Sequence, residues 1–290
     1  MNSLINNLVG AYKKDRVSEK LSEVRDQYSK EWYEHSKAFD ERKYYEWMAK
    51  RVIDYKNILE VGCGTGFSTL NLLNQGHKVI AVDENPSCLK KAEKLLKENG
   101  YNVKLILRGK VIAIDSQKYE IKYKDLTFNQ VDYDVVLVES DFINDDKFVG
   151  FIKNDLTEVI DGIVCWLLGT HNMRGNNSLF NTTITKNSSD ARIFVQKRLY
   201  QICDEILSSG KGLNIIDRAV YQEDLVEMTK FEHIRLSRGT GFCIEKIKFV
   251  DYEEVGKDRG TKMIARDESG GTINTDNYQK VLVSTLSIKK

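Results

Sequence analysis

Proline is almost missing from this 290-residue chain: Pro86 is the single one, so any motif that needs a proline elsewhere is excluded. Charge of either sign is also not in excess, since 44 basic and 43 acidic residues leave a formal net charge of +1. That balance argues against a protein that holds nucleic acid mainly by neutralising phosphates. No apolar run approaches the ~20 residues of a membrane-spanning helix. The start, "MNSLINNLVGAYKKDR", has no positively charged segment ahead of its short apolar stretch, unlike a secretory leader. The five cysteines are odd in number, with neither a CxxC pair nor a metal-ligand spacing. Free thiols in a reducing compartment fit that pattern, and a soluble, cytoplasmic protein that binds no membrane is the expectation. No internal repeat or low-complexity linker interrupts the chain.

What is present divides at about residue 54. Residues 1–54 read as helical, with Tyr44, Met48 and Val52 of "ERKYYEWMAKRVID" recurring every four residues as one buried stripe. Residues 55–290 then alternate strands and helices. "NILEVG" is a short apolar strand ended by glycine, and Phe67, Leu70 and Leu73 share the helical face that follows. "KVIAVDEN" is a second strand, after which Asn85-Pro86 supplies an N-cap and a first-turn proline for a helix closed by Asn99-Gly100. Residues 103–122 lack a helical period and predict an inserted β-hairpin turning near Asp115–Gln117, whose Lys104, Arg108, Lys110, Lys118, Lys122 and Lys124 share one parity. Alternation resumes with "YDVVLVES", a helix over 145–161 carrying Phe148, Ile152, Leu156 and Val159 inward, and the strand "GIVCWLLG". A polar loop over 169–190 leads to a helix that Asp190 could cap, and the β-rich tail predicts an antiparallel edge with "ARDESGGTINTDN" as an exposed turn. The fold class is therefore α/β, a three-layer Rossmann-like sheet, mostly parallel, with an antiparallel C-terminal edge and an N-terminal helical cap.

Strand, glycine turn and helix in that order place a nucleotide at the carboxyl edge of the sheet. A dinucleotide fingerprint needs glycine at its first, third and sixth positions. Counted from Gly62 the sixth is Phe67, and no Lys for a P-loop stands in the turn. What remains, "EVGCGTG", resembles motif I of class I S-adenosylmethionine-dependent methyltransferases over roughly residues 55–210. The resemblance implies S-adenosyl-L-methionine as cofactor, S-adenosyl-L-homocysteine as product and no metal. It further implies cofactor contacts from the turn, with Glu60, Gly62, Cys63, Gly64 and Gly66. Asp83 and Glu84 at the second strand's end would face the ribose, Asp125 and Leu126 the adenine, and Glu139 the reaction site. Cys63 fills the loop, since no sequence neighbour would lower its pKa.

Groups able to reach the transferred methyl come from three places. Glu139, Ser140 and Asp141 end what counts as the fourth strand; Thr170, His171, Asn172 and Arg174 follow the fifth; Tyr28, Trp32, Tyr33 and Phe39 sit in the helical cap. Aromatic faces suit a cation. His171 is a candidate general base, and Asp141 with Glu139 could attract an amine. The (Asp/Asn)-Pro-Pro-aromatic motif of amino-group nucleic-acid methyltransferases cannot be formed with one proline. The expected activity is methylation of a nitrogen, slightly favoured, or an oxygen of a small molecule, natural product or peptide-like metabolite. An RNA methyltransferase using the basic hairpin, or a noncatalytic S-adenosylmethionine-binding subunit, stays open.

Overall fold

A computed structural model describes residues 2–129, 132–180, 188–254, 263, 265–266 and 272–290. Its centre is an eight-stranded sheet in the order β3-β6-β2-β1-β7-β8-β12-β9. In chain order the strands are β1 (Asn57–Val61), β2 (Lys78–Asp83), β3 (Val103–Ile106), β4 (Gly109–Ala113), β5 (Tyr119–Tyr123), β6 (Val135–Glu139), β7 (Gly162–Trp166), β8 (Gly212–Val220), β9 (Phe242–Asp251), β10 (Ala265–Arg266), β11 (Thr272–Ile273) and β12 (Lys280–Lys289). From β3 to β8 neighbouring strands run parallel, while β12 is antiparallel to both β8 and β9. The parallel strands are covered on both faces, which is why "VVLVE" and "GIVCW" are apolar without alternation and buried at every position. The outermost β9 is half exposed and carries Glu245, Lys246 and Lys248, charges that discourage pairing with a further strand.

Helices α1 (Asn2–Glu41), α2 (Tyr44–Ala49), α3 (Phe67–Asn74) and α4 (Pro86–Glu98) contribute to one apolar layer. Helices α5 (Asp146–Phe151) and α6 (Ser188–Ile206) form the opposite one, and α7 (Leu225–Leu236) lies against β9 near the antiparallel edge. Asn85 caps α4 as its sequence implies, its side chain accepting from Ser87 N–H at 2.9 Å. Gly66 adopts φ +90° at the head of α3, and a Cβ there would stand 2.8 Å from Ala92 Cβ; two helices cross closely only because this residue has no side chain. Among the described residues no helix is long and apolar enough to cross a membrane.

Several details differ from the sequence expectation. Residues 103–106 pair with β6 and belong to the sheet, so the hairpin is confined to β4 and β5, with Asp115 accepting from Gln117 and Lys118 N–H across the turn. Arg108 leaves the basic face altogether. It is buried, bonded to Asp145 and to the Lys124 carbonyl. The helix after β6 ends early in a π-turn at Leu156, leaving Val159 exposed. Asp190 falls inside α6, not at its cap. β10 and β11 make the small antiparallel pair of the tail, and the residues joining them lie outside the described ones.

Strand order matters most for the site. β6 stands between β2 and β3, and β7, not β6, is the second neighbour of β1. The inserted hairpin makes counting strands along the chain misleading: the end of "VVLVES" lies beside the second strand's acidic end, with Asp83 and Glu139 in register.

Candidate active site

Four adjacent parallel strands, β6, β2, β1 and β7, end at one edge, and residues at or just beyond their ends wall a cavity of about 60 Å³ roofed by Tyr28 and Trp32 of α1. Clefts that hold small ligands usually enclose ~300–1,000 Å³, so the roof must shift to admit a cofactor. The roof sits tightly on the glycine turn. Gly64 has φ +54°, and a Cβ added to it would lie 2.3 Å from the Trp32 indole nitrogen. Tyr28 and Trp32 stack with ring centres 6.2 Å apart, and Tyr28 meets His171 edge-on at 6.4 Å. Tyr33 points elsewhere, against Phe67 and under Lys91. At the end of β7, Leu167 holds φ 54°, an uncommon conformation for a branched side chain, and lines the cavity.

The acidic end of β2 is the part best suited to a ribose. Asp83 accepts the Gly64 N–H on one carboxylate oxygen and the Asn85 N–H on the other, both at 2.9 Å. Each oxygen keeps a second lone pair, which two neighbouring hydroxyls could fill. Burial pushes this carboxyl up to about 6, with the adjacent Glu84 adding to the rise. Glu60 is buried behind the turn, where Ser68 and Thr69 hydroxyls bond to it; burial raises it to about 7, and it does not reach the cavity. Cys63 is buried and its thiol is driven well up by burial, as a packing residue's would be.

Three carboxylates that the sequence assigns to the site are already bound. Glu139 accepts the N–H groups of Arg108 (2.8 Å) and Gly109 (2.9 Å), anchoring the start of the hairpin. Asp141 lines the cavity, but Arg174 Nη2 (2.9 Å) and Asn144 Nδ2 (2.9 Å) hold its two oxygens. Asp125, expected at the adenine, is exposed, pairs with Lys147 at 2.6 Å and is no part of the cavity wall. Leu126 is buried in the second apolar layer. Beside Asp83 the cavity wall is made by Glu84, Asn85, Phe142 and Ile143.

His171 and Glu84 come together with a residue the sequence did not single out. Glu84 Oε2 lies 2.5 Å from Arg25 Nη2, and Glu84 Oε1 lies 2.8 Å from His171 Nε2. Burial alone would raise the Glu84 carboxyl; Arg25 and His171 outweigh it and hold Glu84 far below the usual carboxylate range. His171 Nε2 stands at hydrogen-bonding distance from Glu84 with its N–H off the line to oxygen, and Nδ1 meets no partner among the described residues. Nothing in "SEVRDQYSK" marks Arg25 apart from other helix-surface charges, and its partner is 59 positions away.

Residues 58–154 match the family model of a methyltransferase domain. That segment, which holds β1, the glycine turn and β2, is similar to a methyltransferase domain. Similarity to that domain points to S-adenosylmethionine as methyl donor. No curated protein matches the chain in sequence. Solved structures that resemble it include a TehB-like S-adenosylmethionine-dependent methyltransferase from Corynebacterium glutamicum (13% identity, 91% of this chain and 99% of that one, TM-score 0.43). The N-methyltransferase NodS from Bradyrhizobium japonicum (10%, 86% and 97%, 0.40) is another. A third is precorrin 8w decarboxylase from Methanobacterium thermoautotrophicum (18%, 83% and 88%, 0.41). Likenesses this distant say nothing of the acceptor.

Proposed function

We propose that this protein is a methyltransferase acting on an oxygen or an uncharged nitrogen of a small molecule, with His171 removing the acceptor's proton. One observation carries the reading: His171 is buried in the cavity wall with Nε2 against Glu84, while Nδ1 has no partner among the described residues. A carboxylate at Nε2 favours the proton there and leaves the Nδ1 lone pair to act as base. The Gly62–Gly64 turn and Asp83, through the ribose, would hold S-adenosylmethionine, which when bound would supply an electrophilic methyl group. The chain's own work is alignment, exclusion of water by Tyr28 and Trp32, and removal of one proton.

An acceptor that arrives as a cation is less well served than the sequence suggests. Such an amine needs a carboxylate to attract it, and Glu139 and Asp141 are both occupied by protein donors. A roofed cavity between strand ends also suits a small acceptor or a short peptide better than a polymer. The reading places the enzyme in the cytoplasm, acting without a metal. The test is methyl transfer from labelled S-adenosylmethionine to panels of phenols, alcohols, amines, short peptides and RNA. His171→Ala should lower kcat at least a hundredfold on the accepted panel member, with S-adenosylhomocysteine binding unchanged. Transfer at the wild-type rate in that variant, or activity on RNA alone, would overturn the reading.

A further inference from the structure

We infer that Arg25 is a positioning residue that ties the cap helix to the base, so that His171 is set for proton removal only while α1 is docked on the site. The inference rests on the reading of His171 given above. One carboxylate, Glu84, is shared between the two elements: one oxygen faces the guanidinium of Arg25 on α1 and the other faces His171 on the loop after β7. Arg25 is fixed from its backbone as well, since its carbonyl accepts the Asn85 side-chain amide at 2.9 Å. Asn85 in turn caps α4, so the docking point of α1 is the same turn that carries Asp83 and Glu84. Farther along α1, Val17 and Leu21 pack with Tyr119 and Ile121 of the hairpin and with Met173 just beyond His171. Docking therefore brings Arg25 to Glu84, and Tyr28 to the edge of His171, in one movement.

The charge arrangement gives the link its chemical content. Besides Glu84 and Arg25, the groups facing this cluster are Tyr28 on α1, Asp83 on β2, Tyr119 and Tyr123 on β5, Asp141 beyond β6, and Arg174 after β7, which Asp141 already binds. With Arg25 in place, the negative charge of Glu84 is largely balanced, and the imidazole beside it is under less compulsion to hold a second proton. With Arg25 withdrawn, Glu84 would favour the imidazolium, which has no lone pair to act as a base.

The linkage can be read without an acceptor, from full-length protein labelled with ¹⁵N-histidine, in which His171 is assigned by its loss in H171N. At a fixed pH of 7.5 the ring signals in R25Q should depart from those of the wild type, with R25K restoring most of the difference. Glu84→Gln should move them in the opposite sense and mix the two tautomers, a result that does not depend on R25Q keeping α1 docked. Amide exchange over residues 17–39 should quicken in R25Q and return to the wild-type rate in R25K. Unchanged His171 ring signals in both R25Q and E84Q, or an R25K variant indistinguishable from R25Q, overturn the linkage. Full methyl transfer in H171A would instead remove the proposed role of the base, leaving the measured linkage between Arg25 and His171 standing.

Discussion

Asp83 and Glu139 end neighbouring parallel strands and face each other in register, yet they do opposite work. Asp83 gives each backbone N–H one oxygen and keeps lone pairs toward the cavity. Glu139 spends one oxygen on two N–H groups from the first residues of the hairpin, and its other oxygen lies so close to Gly109 that a Cβ there would stand 2.5 Å from it. Strand-end position alone does not make a carboxylate functional; what covers it decides. The glycine turn beside Asp83 leaves room, and the inserted hairpin beside Glu139 fills it.

The largest expected difference is in stability. Glu139→Ala strips two amides of their acceptor, one of them on the buried residue Arg108, at a cost of about 1–3 kcal/mol each. Thermal unfolding should show a clear loss of Tm, whereas calorimetry on the folded fraction should find S-adenosylhomocysteine affinity changed little. Strongly weakened binding with unchanged Tm would reverse the roles assigned to the two carboxylates. Asp83→Ala should do the converse, weakening S-adenosylhomocysteine at least tenfold through two lost bonds of about 1 kcal/mol or more each.

Acidity offers a sharper version of the same contrast. Asp83 titrates near 6 because it is buried, and a ribose donating two hydroxyl hydrogens favours its ionised form. Binding should therefore release protons around pH 6. Affinity should weaken as pH falls through 6 and level off above about 7, one unit beyond the titration. In Asp83→Asn that dependence should flatten; if the wild-type slope survives in the variant, another group carries it.

The contrast also marks how far the sequence could be read. β1, the glycine turn, β2 and the Asn85 cap were legible because their signals are local: an apolar run, alternating glycines, an acidic strand end, Asn before Pro. The place of β6 was not, since a strand's neighbours depend on pairings across the whole sheet, and the two segments 103–106 and 109–123 that precede it look alike in sequence although one joins the sheet and one does not. Tyr28 and Trp32 were picked out by residue type and do roof the cavity, while Tyr33, from the same cluster, packs on α3. Arg25 carried no signal at all; its role exists only through a contact between distant segments.

The smallest effect expected is at Asp125, and it is informative for that reason. Read by spacing ahead of a buried strand, this carboxylate stands where the resemblance puts an adenine contact. In the fold its side chain is 89% exposed and pairs with Lys147, which is itself half exposed. Exposed ion pairs contribute ~0–1 kcal/mol, because water solvates both partners nearly as well apart as together. Asp125→Ala should therefore leave S-adenosylhomocysteine affinity within about twofold of the wild type, below the ~1 kcal/mol that one lost hydrogen bond to a buried ligand would cost. Its Tm should move by no more than a degree or two at low salt, and less at high salt, where the pair is screened. A tenfold loss of affinity in this variant would mean that the segment from Lys124 to Phe128 folds over the cofactor when it binds. The carboxylate at the end of β6 would then not be the only one whose work depends on what covers it.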